Sequence, residues 1–266
     1  MDVLYCSDYN YFNFLRLSVI SLLEFNNNVI IHIFTMDCPE TGHKALSKAQ
    51  ISQLKKECLT IHKQFEIKIY NVRECFKKHL SSSCNLNSFY TPYTGLRLIA
   101  PYVLTCDKVL YIDCDFIVLK SLKPIYSQIC SKSSILVTKL KNDIYFATAT
   151  YLHDLKKERD NHYRDIEKTI HIYNTIPHKY PDLNALNIAF KDSDHLVTGN
   201  LYTYNPESSI MFHISSKEIN EIMEFLNNSV FSKKVDELRK LIIKIVQFID
   251  AVQFKIDDNW GKDVLM

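Results

Sequence analysis

The sequence predicts an α/β protein built on a parallel sheet, and three observations carry that reading. The first seventy residues alternate strand-like and helix-like stretches, "DVLYCS", "FNFLRLSVISLLEFN", "VIIHIFTMD", "KALSKAQISQLKKECLTIH" and "EIKIYNV". Strand, helix, strand, helix, strand is the order of βαβ units. The composition, 47% hydrophobic and 12% aromatic over 266 residues, is enough for a sizeable core and is not that of a disordered chain. A later apolar run, "KVLYIDCDFIVLK", reads as another strand but holds two carboxylates.

The elements follow in order. In the first helix Phe14, Leu17, Ile20 and Phe25 recur near helical spacing, which suits a helix packed on a sheet. The strand after it is rich in β-branched residues and ends in Asp37. "TPYTGLRLIAPYVL" reads as one helix that Pro101 ends or bends. "SLKPIYSQI" is a turn or short helix and "SSILVTKL" a strand. "YFATATYLHDLKKERDNHYRDIEKTIHIY" begins strand-like and becomes charged and helical. "PDLNALNIAF", with a proline and an acid before its apolar positions, is a helix start. "HLVTGNLYTYNP" and "SIMFHIS" read as two late strands, and helical segments follow from about residue 217.

Several function classes are excluded by what is missing. The four glycines, Gly42, Gly95, Gly199 and Gly261, are too scattered for G-x-G-x-x-G, a Walker phosphate loop or G-x-S-x-G. That argues against dinucleotide dehydrogenases, P-loop enzymes and ordinary α/β-hydrolases. With 32 basic and 30 acidic residues, a net charge of +2 exerts no global pull on nucleic acid. Eight cysteines never adopt C-x-x-C spacing, so a structural zinc site is not expected, and the thiols read as reduced, in a cytoplasmic protein. The N-terminus does not read as a secretory signal, and no 18-residue apolar run spans a membrane.

Asp113 and Asp115 are the informative acids. Residues i and i+2 of a strand point to one side. Where such a strand ends or bulges, both carboxylates face one cavity at the carboxyl edge of the sheet, where open α/β sheets bind ligands. Two oxygen donors on one side suit a hard divalent cation that also holds a diphosphate. The second Asp-x-Asp, in "KDSDH", sits in polar sequence and reads as a surface loop.

At this point the chain resembles the family 8 glycosyltransferases, retaining, manganese-dependent enzymes of the GT-A fold that use UDP-sugars. The resemblance spans roughly residues 1–215 and is strongest over "TGLRLIAPYVLTCDKVLYIDCDFIVLKSL", which is similar to the family's arginine helix and aspartate-x-aspartate strand. It implies a GT-A Rossmann-like sheet with flanking helices over 1–215 and a helical C-terminal extension over 216–266. It also implies roles. Asp8 and Tyr11 would hold uracil, by accepting from its N–H and stacking on its face. The alternatives for them are a helix N-cap and a packed aromatic. Arg97 would reach the donor sugar or phosphates, for which a planar fork of donors is suited; otherwise it is a surface arginine. Asp113, Asp115 and His213 would ligate Mn²⁺, or Mg²⁺ in its place, although a lone histidine in an apolar segment also reads as core. Asp182 would contact the hydroxyls of the donor sugar, and Lys217 the diphosphate.

Three departures from the family pattern fall on the sugar half. Leu183 stands where the family has a glutamine facing the reacting carbon, and leucine is neither nucleophile nor acceptor. Ala147 stands for a sugar-binding asparagine. Ser216 replaces a glycine of the terminal motif. The resemblance thus implies a hexosyltransferase moving glucose or galactose from a UDP-sugar to a glycan or glycolipid, with retention, by front-face attack that needs no protein nucleophile. It resembles bacterial enzymes of lipopolysaccharide synthesis. The alternatives are a UDP-sugar hydrolase and a degenerate nucleotide-sugar-binding protein. A two-metal phosphatase or nuclease would need more carboxylates than cluster near residue 113. Residues 229–254 interleave Lys233, Lys234, Arg239, Lys240 and Lys244 with Val235, Leu238, Ile242, Ile245 and Phe248. Such a helix suits either peripheral contact with an anionic membrane or packing on the domain with a solvated basic face.

Overall fold

The structure, a computed structural model, describes residues 1–61, 64–88, 92–139, 146–192, 194–195 and 210–213. The extension over 216–266, Lys217, and the strand expected over 196–206 lie outside them. The first five elements form as the sequence pattern predicts: β1 (Asp2–Cys6), α1 (Phe12–Phe25), β2 (Val29–Thr35), α2 (Lys48–Ile61) and β3 (Phe65–Asn71). A short α3 (Arg73–His79), unforeseen in the sequence, follows. Then come a 3₁₀ helix (Pro92–Ile99), α4 (Ala100–Val103), β4 (Lys108–Ile112), β5 (Phe116–Val118), α5 (Lys123–Tyr126), β6 (Ile135–Lys139) and β7 (Phe146–Asp154). The rest are α6 (Leu155–Asp160), α7 (Arg164–Thr175), α8 (Pro181–Ala189), β8 (Asp194–His195) and β9 (Met211–His213).

Seven strands form one sheet in the order β3-β2-β1-β4-β7-β6-β8. β1 pairs parallel with β2 and with β4. The sheet is not parallel throughout, however: β7 runs antiparallel to both β4 and β6. Only six residues join β6 to β7, and a parallel neighbour would need a crossover of a dozen or more. β1 lies inside the sheet, between β2 and β4, with its middle residues Val3, Leu4 and Tyr5 at most 1% exposed. Alternation sends Val3 and Tyr5 into one core, with Leu15, Leu22, Ile31, Ile33 and Leu110. Leu4 faces the other, with Phe34, Leu96, Tyr111 and Tyr151. Burial on both faces is why these strands read as apolar runs.

Other expectations are corrected in the details. The segment 92–103 is a 3₁₀ helix leading into one α turn. Pro101 begins that turn rather than ending the helix, in a first-turn position that wastes no N–H. Gly95 lies so close to Tyr173 that a Cβ there would sit 2.7 Å from its hydroxyl. The charged, helical stretch 155–175 forms two helices, with His162 and Tyr163 at positive φ between them. Asp154 begins α6, its side chain accepting from the Lys157 N–H at 2.8 Å. Asp194 is not in a loop but in β8, opposite Leu136 of β6. The largest correction concerns the acids: "KVLYIDCDFIVLK" is two strands, not one, broken at Asp113–Asp115. β4 stays in the large sheet, whereas β5 pairs with β9 in a separate two-stranded sheet. All eight cysteines are free. Among the described residues no helix is long and apolar enough to cross a membrane.

Candidate functional site

The strand order reverses direction around β1: the chain runs outward through β2 and β3, then returns to place β4 on the other side. The crevice beyond the carboxyl ends of β1 and β4 is therefore the switch point at which such sheets bind ligands. The sequence-predicted residues gather there because both strands stop there. Asp8 follows β1, and Asp113 follows β4. The Asp113 N–H still donates to the Ala149 carbonyl at 2.8 Å, the last rung before the chain turns.

Asp113 is held from two sides. Arg97 donates to its Oδ1 from Nη2 at 2.8 Å, and the Tyr111 hydroxyl donates to the same oxygen. Tyr111 is two residues back on the same face of β4. Burial pushes the Asp113 carboxyl up to about 6, against the pull of Arg97; neighbouring Asp115 adds to the rise. Asp115 sits past the turn, where β5 and β9 supply its partner. The register sets His213 opposite Phe116. Its ring stacks on Phe116 at 4.5 Å and 2°, and its Nε2 stands 3.3 Å from Asp115 Oδ1. His213 is thus brought to the acids by strand pairing and is no isolated core residue. Two carboxylates and an imidazole are a donor set that Mn²⁺ accepts, so these residues fit a divalent ion. They are not drawn tightly together. Among the described residues no group of three donors that includes Asp113 lies mutually within 4.8 Å.

Arg97 is 3% exposed, which rules out the surface alternative. Its Nε donates to the Thr94 carbonyl at 2.9 Å and Nη1 to the Thr148 carbonyl at 2.6 Å. Nη1 also lies 3.6 Å from Asp182 Oδ2, and the guanidinium stacks over Tyr111 at 4.1 Å. Burial alone would lower its pKa, but Asp113, Tyr111 and Asp182 hold it well above the usual value. Asp182, 7% exposed, occupies the first turn of α8 behind Pro181, where a carboxylate also meets the helix dipole. α8 is docked by Asn187, which accepts from the Phe146 N–H at 2.7 Å and donates to its carbonyl at 3.0 Å. That pair anchors the start of β7, whose Thr148 carbonyl meets the arginine.

Asp8 is 4% exposed and accepts from the Tyr11 N–H at 2.8 Å through Oδ1, so it does cap the approach to α1. Its Oδ2 lies 3.9 Å from His43 Nε2. Tyr11 is 46% exposed and is not a packed core aromatic; its ring tilts against Phe14 at 5.3 Å. Desolvation first, then Asp115 and other nearby charges, push its phenol up. The site therefore brings together Asp8, Tyr11, Arg97, Asp113, Asp115, Asp182 and His213. Tyr111, Thr148 and His43 were missed by sequence reasoning. Tyr111 alone left a signal, since its i, i+2 spacing to Asp113 puts both on one face. Cys6 also borders the site, its thiol pushed up by burial and feeling Arg97, Asp113 and Asp182.

Residues 2–224 match the family described as "Glycosyl transferase family 8". Among solved structures the chain is similar to the glycosyltransferase GlyE of Streptococcus pneumoniae TIGR4, with TM-score 0.61 and 18% identity over 92% of this chain and 60% of that one. It is similar to the WbbM bifunctional glycosyltransferase, with TM-score 0.64 and 12% identity over 91% of this chain and 51% of that one. It is similar as well to the galactosyltransferase LgtC in complex with donor and acceptor sugar analogs, with TM-score 0.54 and 16% identity over 91% of this chain and 100% of that one. The chain thus spans about three fifths of the length of GlyE and half that of WbbM. No curated protein matches it. The structural likenesses establish the fold, which is GT-A, with the switch-point crevice in the place the strand order dictates. Because the family match runs through both the acid turn and the helix of Asp182, and over most of the residues in between and around them, the chain belongs to glycosyl transferase family 8.

Proposed function

We propose that this protein is a retaining glycosyltransferase that moves a hexose from a UDP-sugar to a hydroxyl of a glycan or glycolipid, with a divalent metal, Mn²⁺ or Mg²⁺, at Asp113, Asp115 and His213. The observation that carries this is the broken strand. A single run of sequence leaves the sheet at Asp113, and β9 returns a histidine to 3.3 Å from Asp115 at the carboxyl edge where nucleotides bind. A divalent ion there would stabilise the charge that develops on the departing diphosphate. The chain's own residues do the rest. Asp8, its Oδ2 turned to His43, and the exposed face of Tyr11 receive the base. Arg97, neutralised by two carboxylates, holds Asp182 in the crevice for the sugar hydroxyls. Retention by front-face attack asks no nucleophile of the protein, so Leu183 is compatible with turnover. Lys217, outside the described residues, completes the phosphate contacts in this reading.

A second reading is favoured by one specific feature. Leu183 and Ala147 lend no polar group to the sugar half, which suits a protein that binds nucleotide sugar without transferring it, or that hydrolyses it. UDP release measured with Mn²⁺ across UDP-glucose, UDP-galactose and their N-acetyl forms separates these. Acceptor-dependent release is expected. Release without acceptor would mean hydrolysis, and UDP binding with no release would mean the degenerate form. Asp113→Asn and Asp115→Asn should each abolish manganese-dependent UDP binding with the circular dichroism spectrum unchanged. Undiminished affinity in both would remove the metal from these acids.

A further inference from the structure

We propose a second metal site at the opposite rim of the sheet, formed by Asp2, His32 and Cys106 and built for a tetrahedral ion such as Zn²⁺. Among the described residues these three form the one group whose ligand atoms all lie within 4.8 Å of one another. They come from three elements: the first residue of β1, the middle of β2, and the turn two residues before β4. Parallel pairing of β1 with both neighbours is what assembles them. Asp8, at the other end of β1, is six residues from Asp2, roughly 20 Å at about 3.3 Å per residue. The site is therefore separate from the acid turn and stands whether or not the proposed transferase reading does.

Three features favour a metal over a plain hydrogen-bonded pair. The donors are one nitrogen, one oxygen and one sulfur, the mixture that zinc takes and that Mg²⁺ and Ca²⁺ do not. The outer partners are already in place. His32 Nδ1 lies 3.0 Å from the Tyr70 hydroxyl, leaving Nε2, 2.8 Å from Asp2 Oδ1, on the side of the cluster. The other Asp2 oxygen accepts from the Tyr126 hydroxyl at 3.2 Å. A ligating imidazole and carboxylate are oriented in just this manner, each held by its second polar atom. The cysteine segment is also fixed, because Arg159 donates to the Leu104 carbonyl at 3.1 Å and the Cys106 carbonyl at 2.9 Å. Three protein ligands leave the fourth position to water. Binding is balanced as follows: the thiol of Cys106 loses one proton to solvent, and His32 vacates Nε2, which in the metal-free pair donates to Asp2 Oδ1 at 2.8 Å, by taking the tautomer with its proton on Nδ1, where the Tyr70 oxygen accepts it. The ion would clamp β1, β2 and the turn before β4 to one another.

The test uses the full chain carrying Asp115→Asn, which silences the proposed donor-site metal. Titration with Zn²⁺ alone should show one tight equivalent, and Co²⁺ should give a thiolate-to-cobalt charge-transfer band. Cys106→Ser should abolish the band and weaken zinc by more than the ~10–100-fold that loss of an outer partner costs. His32→Gln should weaken zinc similarly, and circular dichroism checks that both variants fold. Absence of a zinc equivalent, or a cobalt–thiolate band that survives Cys106→Ser, would overturn the proposal. In that second case the sulfur would come from Cys6 or Cys114 beside the acid turn. Failure of UDP binding in the wild type bears on the transferase reading and leaves this one untouched.

Discussion

Arg97 carries a permanent charge into a place where only 3% of it meets solvent, and its neighbours decide what that costs. Two backbone carbonyls, Asp113, Asp182 and the face of Tyr111 receive it. A buried pair is weak grounds for stability, but breaking one by removing a single partner is severe, about 3–5 kcal/mol. Arg97→Leu is therefore expected to cost that much in urea unfolding, because Asp113 and Asp182 would be left facing each other without a cation. Asp113→Asn should cost far less, since Arg97 retains Asp182 and the carbonyls. The residue types at this site were legible in the sequence: acids in an apolar run, a histidine in an apolar segment, an arginine ahead of both. Their partners were not. Nothing local marks Thr148 as the residue whose carbonyl faces Arg97, since that contact spans 51 positions.

Elements place these residues, and the instructive ones are those that break. The run through Asp113 and Asp115 has the hydrophobicity of one strand. It becomes two because the carboxylates prefer the rim and Phe116–Val118 find better burial against α1 and β9, all three being fully buried. Periodicity reports that a residue is buried but not in which sheet. The same limit applies to β7, antiparallel where an all-parallel sheet was expected. Inside α6 lies another buried acid. Glu158 is 1% exposed and accepts from the Ser134 hydroxyl and, at 3.4 Å, from the Ile166 N–H, with His153 Nε2 3.9 Å away. Burial pulls its carboxyl up, but His153, Ser134 and Ile166 together outweigh burial and hold it below the ordinary value. A depressed folded pKa contributes stability that is full above the unfolded value, about 4.3, and is lost as pH falls through the folded one. Glu158→Gln should thus be destabilised near neutral pH, and its deficit in urea midpoint should shrink below about pH 4. A deficit independent of pH would mean that the glutamate acts by packing alone.

At the scale of the molecule, β1 divides two ends. Its carboxyl end opens on the acid turn, and its amino end on the cluster of Asp2, His32 and Cys106. Ligands at the first end should stabilise the whole chain by mass action. UDP with Mn²⁺ at one hundred times its Kd is expected to add about 2.7 kcal/mol, seen as a rise of roughly 5–10 °C in Tm for a domain of this size. Asp113→Asn should show no such rise, and an equal rise in that variant would place UDP elsewhere. The amino-acid sequence alone determined the α/β class, the central strands, the acid pair and the resemblance to the family, because local periodicity and motif spacing record burial and chemistry along the chain. Tertiary structure decided the mixed sheet, the split at Asp113–Asp115, the pairing of His213 with Asp115 and the burial of Arg97. It also decided the meeting of Asp2, His32 and Cys106. The meetings at both ends of β1 depend on strand order and register, which join residues 30 to 107 positions apart, and no local pattern encodes contacts at that distance.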